Sequence, residues 1–137
     1  MYKINKLDVF HSILELKGGN PIAIRLADGS LILLSSSEHA NNYTLELMRK
    51  ISGSSLSIII NKERMEYISN RDIKEQLYSI SFSENFDSDT CQNISCSVMI
   101  DNQSILNGAV VSIEQNKTVL NLLELMKINH IIPSIVM

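Results

Sequence analysis

The chain of 137 residues has no tryptophan, two cysteines, two prolines and five glycines, and no excess of basic charge. Each shortage excludes something. The longest apolar runs, Leu31 to Leu34 and Ile58 to Ile60, fall far below the roughly 20 residues a spanning helix needs. Net charge is −3 and the 12 lysines and arginines are scattered, so no basic stripe exists for nucleic acid or an anionic membrane surface. Two cysteines, Cys91 and Cys96, cannot staple a disulfide-dense scaffold, and without a second Cys or His pair they make no zinc site. Reduced thiols in a cytoplasmic chain are expected. "SGSS", residues 52–55, lacks the glycine spacing and lysine of a phosphate loop. The opening MYKINKLDVFHSILELKGG has no unbroken apolar h-region or small-residue cleavage site, so no signal peptide is expected, and the glycosylation-like triplets beginning at Asn42, Asn93 and Asn116 carry no meaning without one.

What remains is a globular composition, 45% hydrophobic and 20% charged, of a length for one domain over 1–137. Ile4, Leu7, Phe10, His11, Ile13, Leu14 and Leu16 form a helical stripe closed by Lys17-Gly18-Gly19, with His11 expected to be packed or half-buried. "PIAIRL" and "SLILLS", joined through Ala27-Asp28-Gly29, predict a hairpin over 21–35. Asn41 is the expected N-cap of a helix ending at Ser52-Gly53, and "SLSIIIN" predicts a strand buried on both faces. Asn61 caps a further helix, "KERMEYIS". Residues 69–90 read as a polar loop. "ISCSVMID" alternates as a strand and is expected to pair with "SILNGAVVS". Glu114 to Lys127 predicts a helix, and Pro133 keeps the tail "HIIPSIVM" extended. The methionines on helices (Met48, Met65, Met126) read as core filler. Interspersed helices and strands imply a layered α/β arrangement, a mixed twisted sheet flanked by helices.

"LADGSLILLSSSEHANN", residues 26–42, sets three serines beside Glu38-His39. A nucleophilic triad needs a base oriented by a third group, and neighbours on an extended strand point to opposite faces. Glu38 and His39 are therefore not expected to converge on one serine, and the cluster reads as polar residues leading into a helix.

The order of elements, with four short motifs, resembles the 3,4-dihydroxy-2-butanone 4-phosphate synthase family, the lyase that acts on ribulose 5-phosphate in riboflavin biosynthesis. The motifs are Ser37-Glu38-His39-Ala40 before a helix, Asn61-Lys62-Glu63-Arg64 at a helix start, "GAVVSIEQNKTV" with Thr118, and "NHIIPSI" with His130 and Pro133. The chain is similar, equally, to the synthase-like half fused to GTP cyclohydrolase II in some bacteria. The resemblance implies a three-layer fold, a homodimer, and a reaction in which Mg²⁺ polarises the sugar while carboxylates move protons. It also implies where the site should lie, at Asp28, Glu38, Glu114, Thr118 and His130. The family's acidic loop is reduced here to Arg25-Leu26-Ala27-Asp28-Gly29-Ser30, with one carboxylate. Its Asp-Arg pair stands as Glu114-Gln115, and its distal Gly-His-Thr-Glu-Ala segment has no counterpart before Met137. Mg²⁺ wants a near-octahedral oxygen shell, and one aspartate in a tight turn holds it weakly. No cofactor or metal is expected, and those five residues are vestigial candidates.

The expectation is thus a cytoplasmic pseudoenzyme that works by association, as a homodimer or with GTP cyclohydrolase II. The apolar tail "IIPSIVM" is the expected contact surface. The alternatives are a phosphosugar lyase with a remodelled site built on Asp28, Glu38, Glu114 and His130, or a small binding module of unrelated descent.

Overall fold

A computed structural model describes residues 6–26, 28–69, 74–96 and 108–137. The elements run α1 (Lys6–Lys17), β1 (Ile22–Arg25), β2 (Leu31–Ser36), α2 (Asn42–Ser52), β3 (Ile58–Asn61), α3 (Lys62–Ser69), β4 (Leu77–Phe82), α4 (Ser88–Cys96), β5 (Ala109–Ile113), α5 (Lys117–Ile128) and β6 (Ser134–Val136). The strands form one sheet in the order β1-β2-β6-β3-β4-β5.

Alternation along the strands sorts the core into two layers. Ile58, Ile60, Tyr78, Ile80 and Val136 face one side, where they pack with Leu45 and Met48 of α2, Met65 and Ile68 of α3, and Cys91 and Ile94 of α4. Ile24, Leu34, Ile59, Leu77 and Ile135 face the other, against Ile13 and Leu16 of α1 and Val119, Leu122, Leu123 and Met126 of α5. This is the layered α/β architecture with helices on both faces. β3, Ile-Ile-Ile-Asn, serves both layers with all three isoleucines fully buried. Removing each of those side chains from water contributes about 1.5–3 kcal/mol.

The sheet is antiparallel at every pairing, where a mixed one was expected. β2, α2 and β3 do form a crossover whose two strands run parallel. β6 slots between them, antiparallel to both, with Ser36 opposite Ile135 and Ile60 opposite Ser134. The tail expected as an outer contact surface is thus the innermost strand, with Ser134, Ile135 and Val136 all buried. The Ser57–Met137 backbone pair, 2.9 Å in both directions, fastens its end.

The hairpin over β1–β2, the buried β3 and the capped helices match their expected places. Asn41 accepts from the Thr44 N–H at 2.9 Å, and Gly53, in the left-handed region, closes α2 by donating to the Arg49 carbonyl. The Asn61 side chain accepts from the Arg64 N–H at 3.0 Å and caps α3. α5 starts three residues later than expected because Asn116 caps it, accepting from the Thr118 and Val119 N–H groups.

Residues 69–90, expected as a loop, contain β4 and the start of α4. Tyr78, Ile80 and Phe82 carry a period-two apolar pattern, thinned by the serines between them. Residues 94–96 of the expected strand "ISCSVMID" are the end of α4; its remainder lies outside the described residues. The partner of β5 is β4, with Tyr78 opposite Ile113 and Phe82 opposite Ala109. His11, expected half-buried, is exposed, while Ile13 and Leu16 carry the burial of α1.

Candidate functional site

One end of the sheet gathers the carboxyl ends of β2 and β3 and the start of β6. There the chain leaves β2 through Ser37, Glu38 and His39 and turns into α2. The Ser37 N–H donates to the Ser134 carbonyl at 3.0 Å, and the Ala40 N–H to the Ser36 carbonyl at 2.8 Å. Glu38 Oε1 accepts the Ile132 N–H at 3.2 Å and stands 3.1 Å from His39 Nε2. Glu38 thereby ties the exit of β2 to the approach of β6, and His39 is paired with this carboxylate.

None of the three serines meets that histidine. Ser35 donates to the Asn20 carbonyl at 3.3 Å, while the Ser36 and Ser37 hydroxyls are fully buried with no hydrogen-bond partner among the described residues. Ser134 shares a 2.7 Å hydroxyl–hydroxyl bond with Ser95 of α4. A triad requires the serine hydroxyl on the imidazole and the acid behind it. Here acid and imidazole pair with each other and the serines stand apart.

Arg64 closes the same end from α3. Its Nε donates to the Ile94 carbonyl at 2.6 Å and Nη2 to the Asn93 carbonyl at 3.0 Å, both in the last turn of α4. The guanidinium also sits 5.0 Å from the centre of the Tyr67 ring. Cys91 and Cys96, expected around a strand start, both lie on α4, and both are free thiols. Burial pushes the Cys91 thiol up to about 12. Burial and then the nearby Glu38 carboxylate raise Cys96, against a smaller opposing pull from Arg64. A nucleophilic cysteine needs the reverse environment, one that favours thiolate.

The five residues implied by the family resemblance are dispersed. Asp28 sits in the β1–β2 turn, where its carboxylate accepts the Ser30 hydroxyl and, at 2.9 Å, the Ser30 N–H. Those two bonds, the hydroxyl first, hold Asp28 below its ordinary value. It lies at the opposite end of β2 from Glu38, and the six residues of that strand alone span roughly 20 Å at about 3.3 Å each. Glu114 follows β5 at the same sheet end as Glu38, its N–H on the Leu77 carbonyl at 3.2 Å. The order β2-β6-β3-β4-β5 nevertheless puts four strand spacings between them, about 19 Å. Thr118 occupies the first turn of α5, with its N–H on Asn116.

His130 has a backbone role. Its φ is 60°. The Ile131 N–H reaches back to the Met126 carbonyl at 2.9 Å and the His130 N–H to the Lys127 carbonyl at 3.2 Å. That pair of bonds is the Schellman closure, with His130 in the left-handed position that glycine usually fills. Gly19 does the same for α1, with the Asn20 N–H on the Glu15 carbonyl and the Gly19 N–H on Leu16.

Among the described residues no three His, Cys, Asp or Glu side chains group as a metal shell. Asp28 and Glu38, at opposite ends of β2, stand too far apart to share one cation. The residues that sequence reasoning missed are Arg49 and Asp87, and it met Arg64 only as part of a helix-start motif. Their signals were faint: Asp87 stands three residues before Thr90 as a cap, and an arginine's partners on another helix leave no local pattern. Comparison of the chain with models of known protein families, with characterised proteins and with solved structures finds no match to any of them.

Proposed function

We propose that this chain is a degenerate, non-catalytic relative of the 3,4-dihydroxy-2-butanone 4-phosphate synthase family, cytoplasmic, and working by association within riboflavin biosynthesis. The observation that supports the non-catalytic part of the reading is the dispersal of Asp28, Glu38, Glu114, Thr118 and His130 over separate elements, with Glu38 on the Ile132 N–H and His130 in the left-handed position that closes α5. The family itself rests on the motif resemblance alone. No helix among the described residues is long and apolar enough to cross a membrane.

The partner is a second copy of the chain, meeting it at β5. Among the described residues β5 ends the strand order, and its sequence Ala-Val-Val-Ser-Ile holds none of the charges or prolines that usually protect an edge. Val110, Val111 and Ile113 are 64%, 38% and 53% exposed. A two-fold axis at Val111 would set Ala109 opposite Ile113 and Val110 opposite Ser112, so the segment is complementary to itself. A cyclohydrolase II module is the competing occupant.

Two measurements test this. Purified protein with ribulose 5-phosphate and Mg²⁺ should release no formate above the uncatalysed rate. Steady enzymatic release would favour the lyase built on Asp28, Glu38, Glu114 and His130 and end the non-catalytic reading. Light scattering should report a dimer that Val111→Lys converts to monomer. A wild-type monomer that instead binds cyclohydrolase II would reassign the surface.

A further inference from the structure

A cleft runs along the outer side of α2, where the segment 85–90 crosses toward α4. It has two lobes of about 460 and 390 Å³, which share Glu46, Arg49 and Asn85 as walls. Tyr43, Leu47 and Lys50 complete the first lobe, and Asp87 and Thr90 help complete the second. The floor of the second lobe is set by Phe86, buried against Phe82 with ring centres 5.8 Å apart. Arg49 folds over that floor, its guanidinium carbon 5.2 Å from the Phe86 ring centre and its Nη2 donating to the Phe86 carbonyl. The second lobe is braced by Asn42, whose side chain accepts the Ser88 N–H at 2.8 Å and clamps the start of α4 to the start of α2.

Three features set this cleft apart from an ordinary charged surface. Arg49 Nε is buried with no acceptor among the described residues. Neither Arg49 nor Lys50 has a carboxylate within ion-pair distance among the described residues. Their position in the last turn of α2 accounts for their sign through the helix dipole, while the Phe86 ring and carbonyl draw the Arg49 guanidinium inward. The charges are also sorted. Lys50 lines only the first lobe and Asp87 only the second, with Arg49 and Glu46 between. The two cations and two carboxylates cancel, leaving a neutral but polarised cleft. Tyr43, 75% exposed, offers a ring at the rim of the cationic lobe.

We propose that this cleft binds a small zwitterion of the short-peptide class, its carboxylate on Lys50 and Arg49 and its ammonium on Asp87 and Glu46. A simple anion would leave the two acids repelling it, and a simple cation would meet Arg49 and Lys50. A ligand with opposite charges several bonds apart satisfies both lobes at once. Asp87 is suited to the ammonium end. It stays ionised well into acid, because it accepts first the Thr90 N–H and then the Thr90 hydroxyl. The inference is independent of the association surface at β5, which belongs to a different strand at the sheet's edge.

The test is an NMR titration of the isotope-labelled full chain with the tripeptide Gly-Tyr-Gly, with its N-acetylated, C-amidated form, and with inorganic phosphate. The free peptide is expected to give saturable shifts at the Arg49 Nε–H and the Asn85 side-chain amide, with Kd near about 1 mM. The blocked peptide should bind at least about tenfold more weakly, and phosphate should not saturate. Asp87→Asn keeps a capping oxygen and Lys50→Gln keeps the helix. Each should weaken the peptide about tenfold while thermal unfolding remains a single cooperative transition. Absence of saturable shifts, equal binding of the blocked peptide, equal binding by either variant, or phosphate binding as tightly as the peptide would each overturn the proposal.

Discussion

Ser37→Ala should make this protein more stable. The Ser37 hydroxyl is fully buried and has no hydrogen-bond partner among the described residues, so folding strips it of water without replacement. An unpaired buried hydroxyl costs about 1–3 kcal/mol. Alanine removes that cost and loses one oxygen's worth of packing, for a net gain of about 1 kcal/mol. In a domain of this size that is a rise of about 3–4 °C in Tm. The control lies one strand away. Ser134→Ala deletes half of the 2.7 Å Ser95–Ser134 pair and leaves the Ser95 hydroxyl orphaned in the core, a loss of about 1–3 kcal/mol. The double change Ser95→Ala with Ser134→Ala removes both ends and should recover most of that loss. Urea melts followed by far-UV circular dichroism give all four free energies on one scale. If Ser37→Ala proves destabilising while the Ser134 cycle behaves as stated, Ser37 has a partner in solution and the argument from its isolation fails.

Other substitutions probe the helix closures and the thiols. Gly19→Ala should cost about 2–3 kcal/mol, because φ is +79° there and the added Cβ would stand 2.5 Å from the His39 carbonyl oxygen. Denaturant melts showing a loss below about 0.5 kcal/mol would contradict that close approach. His130→Gly should stabilise by about 1 kcal/mol, since it relieves a left-handed non-glycine residue at a Schellman closure. A loss of stability in the same melts would mean that the imidazole makes contacts of its own. Cys91 should resist alkylation at pH 8 until the protein unfolds, while Cys96 reacts slowly; rapid labelling of Cys91 by mass spectrometry would refute its burial. Because the Cys91 thiol is raised in the folded state, its contribution is complete below its ordinary value of 9.0 and is lost as pH climbs toward about 12. Stability should therefore fall on the alkaline side of pH 9, and Cys91→Ala should flatten that fall. A wild-type melt indifferent to pH from 9 to 11 would sink this account.

The sequence by itself determined the elements whose signals are local. The Asn41 and Asn61 caps, the Gly19 and Gly53 closures and the turn around Asp28 all depend on residues within one helical turn of each other. The three isoleucines of β3 could be read as a strand covered on both faces for the same reason, since burial on two sides removes alternation altogether. The expectation for Glu38-His39 holds only in outcome: the two lie in the turn after β2, not on a strand, their side chains meet at 3.1 Å, and still no serine joins them. Tertiary structure decided the rest. Whether "IIPSIVM" lies outside or becomes the central strand depends on the gap between β2 and β3, which only a crossover of correct width can open. β4 escaped notice because its period-two pattern is interrupted by serines that the sheet tolerates, and its partner β5 lies some thirty residues away. Arg49 and Arg64 acquire their meaning from carbonyls on other segments, at Phe86 and at Asn93 and Ile94. Such contacts join groups far apart in sequence, so no short window of residues encodes them; packing two helices onto one face of a sheet brings them together.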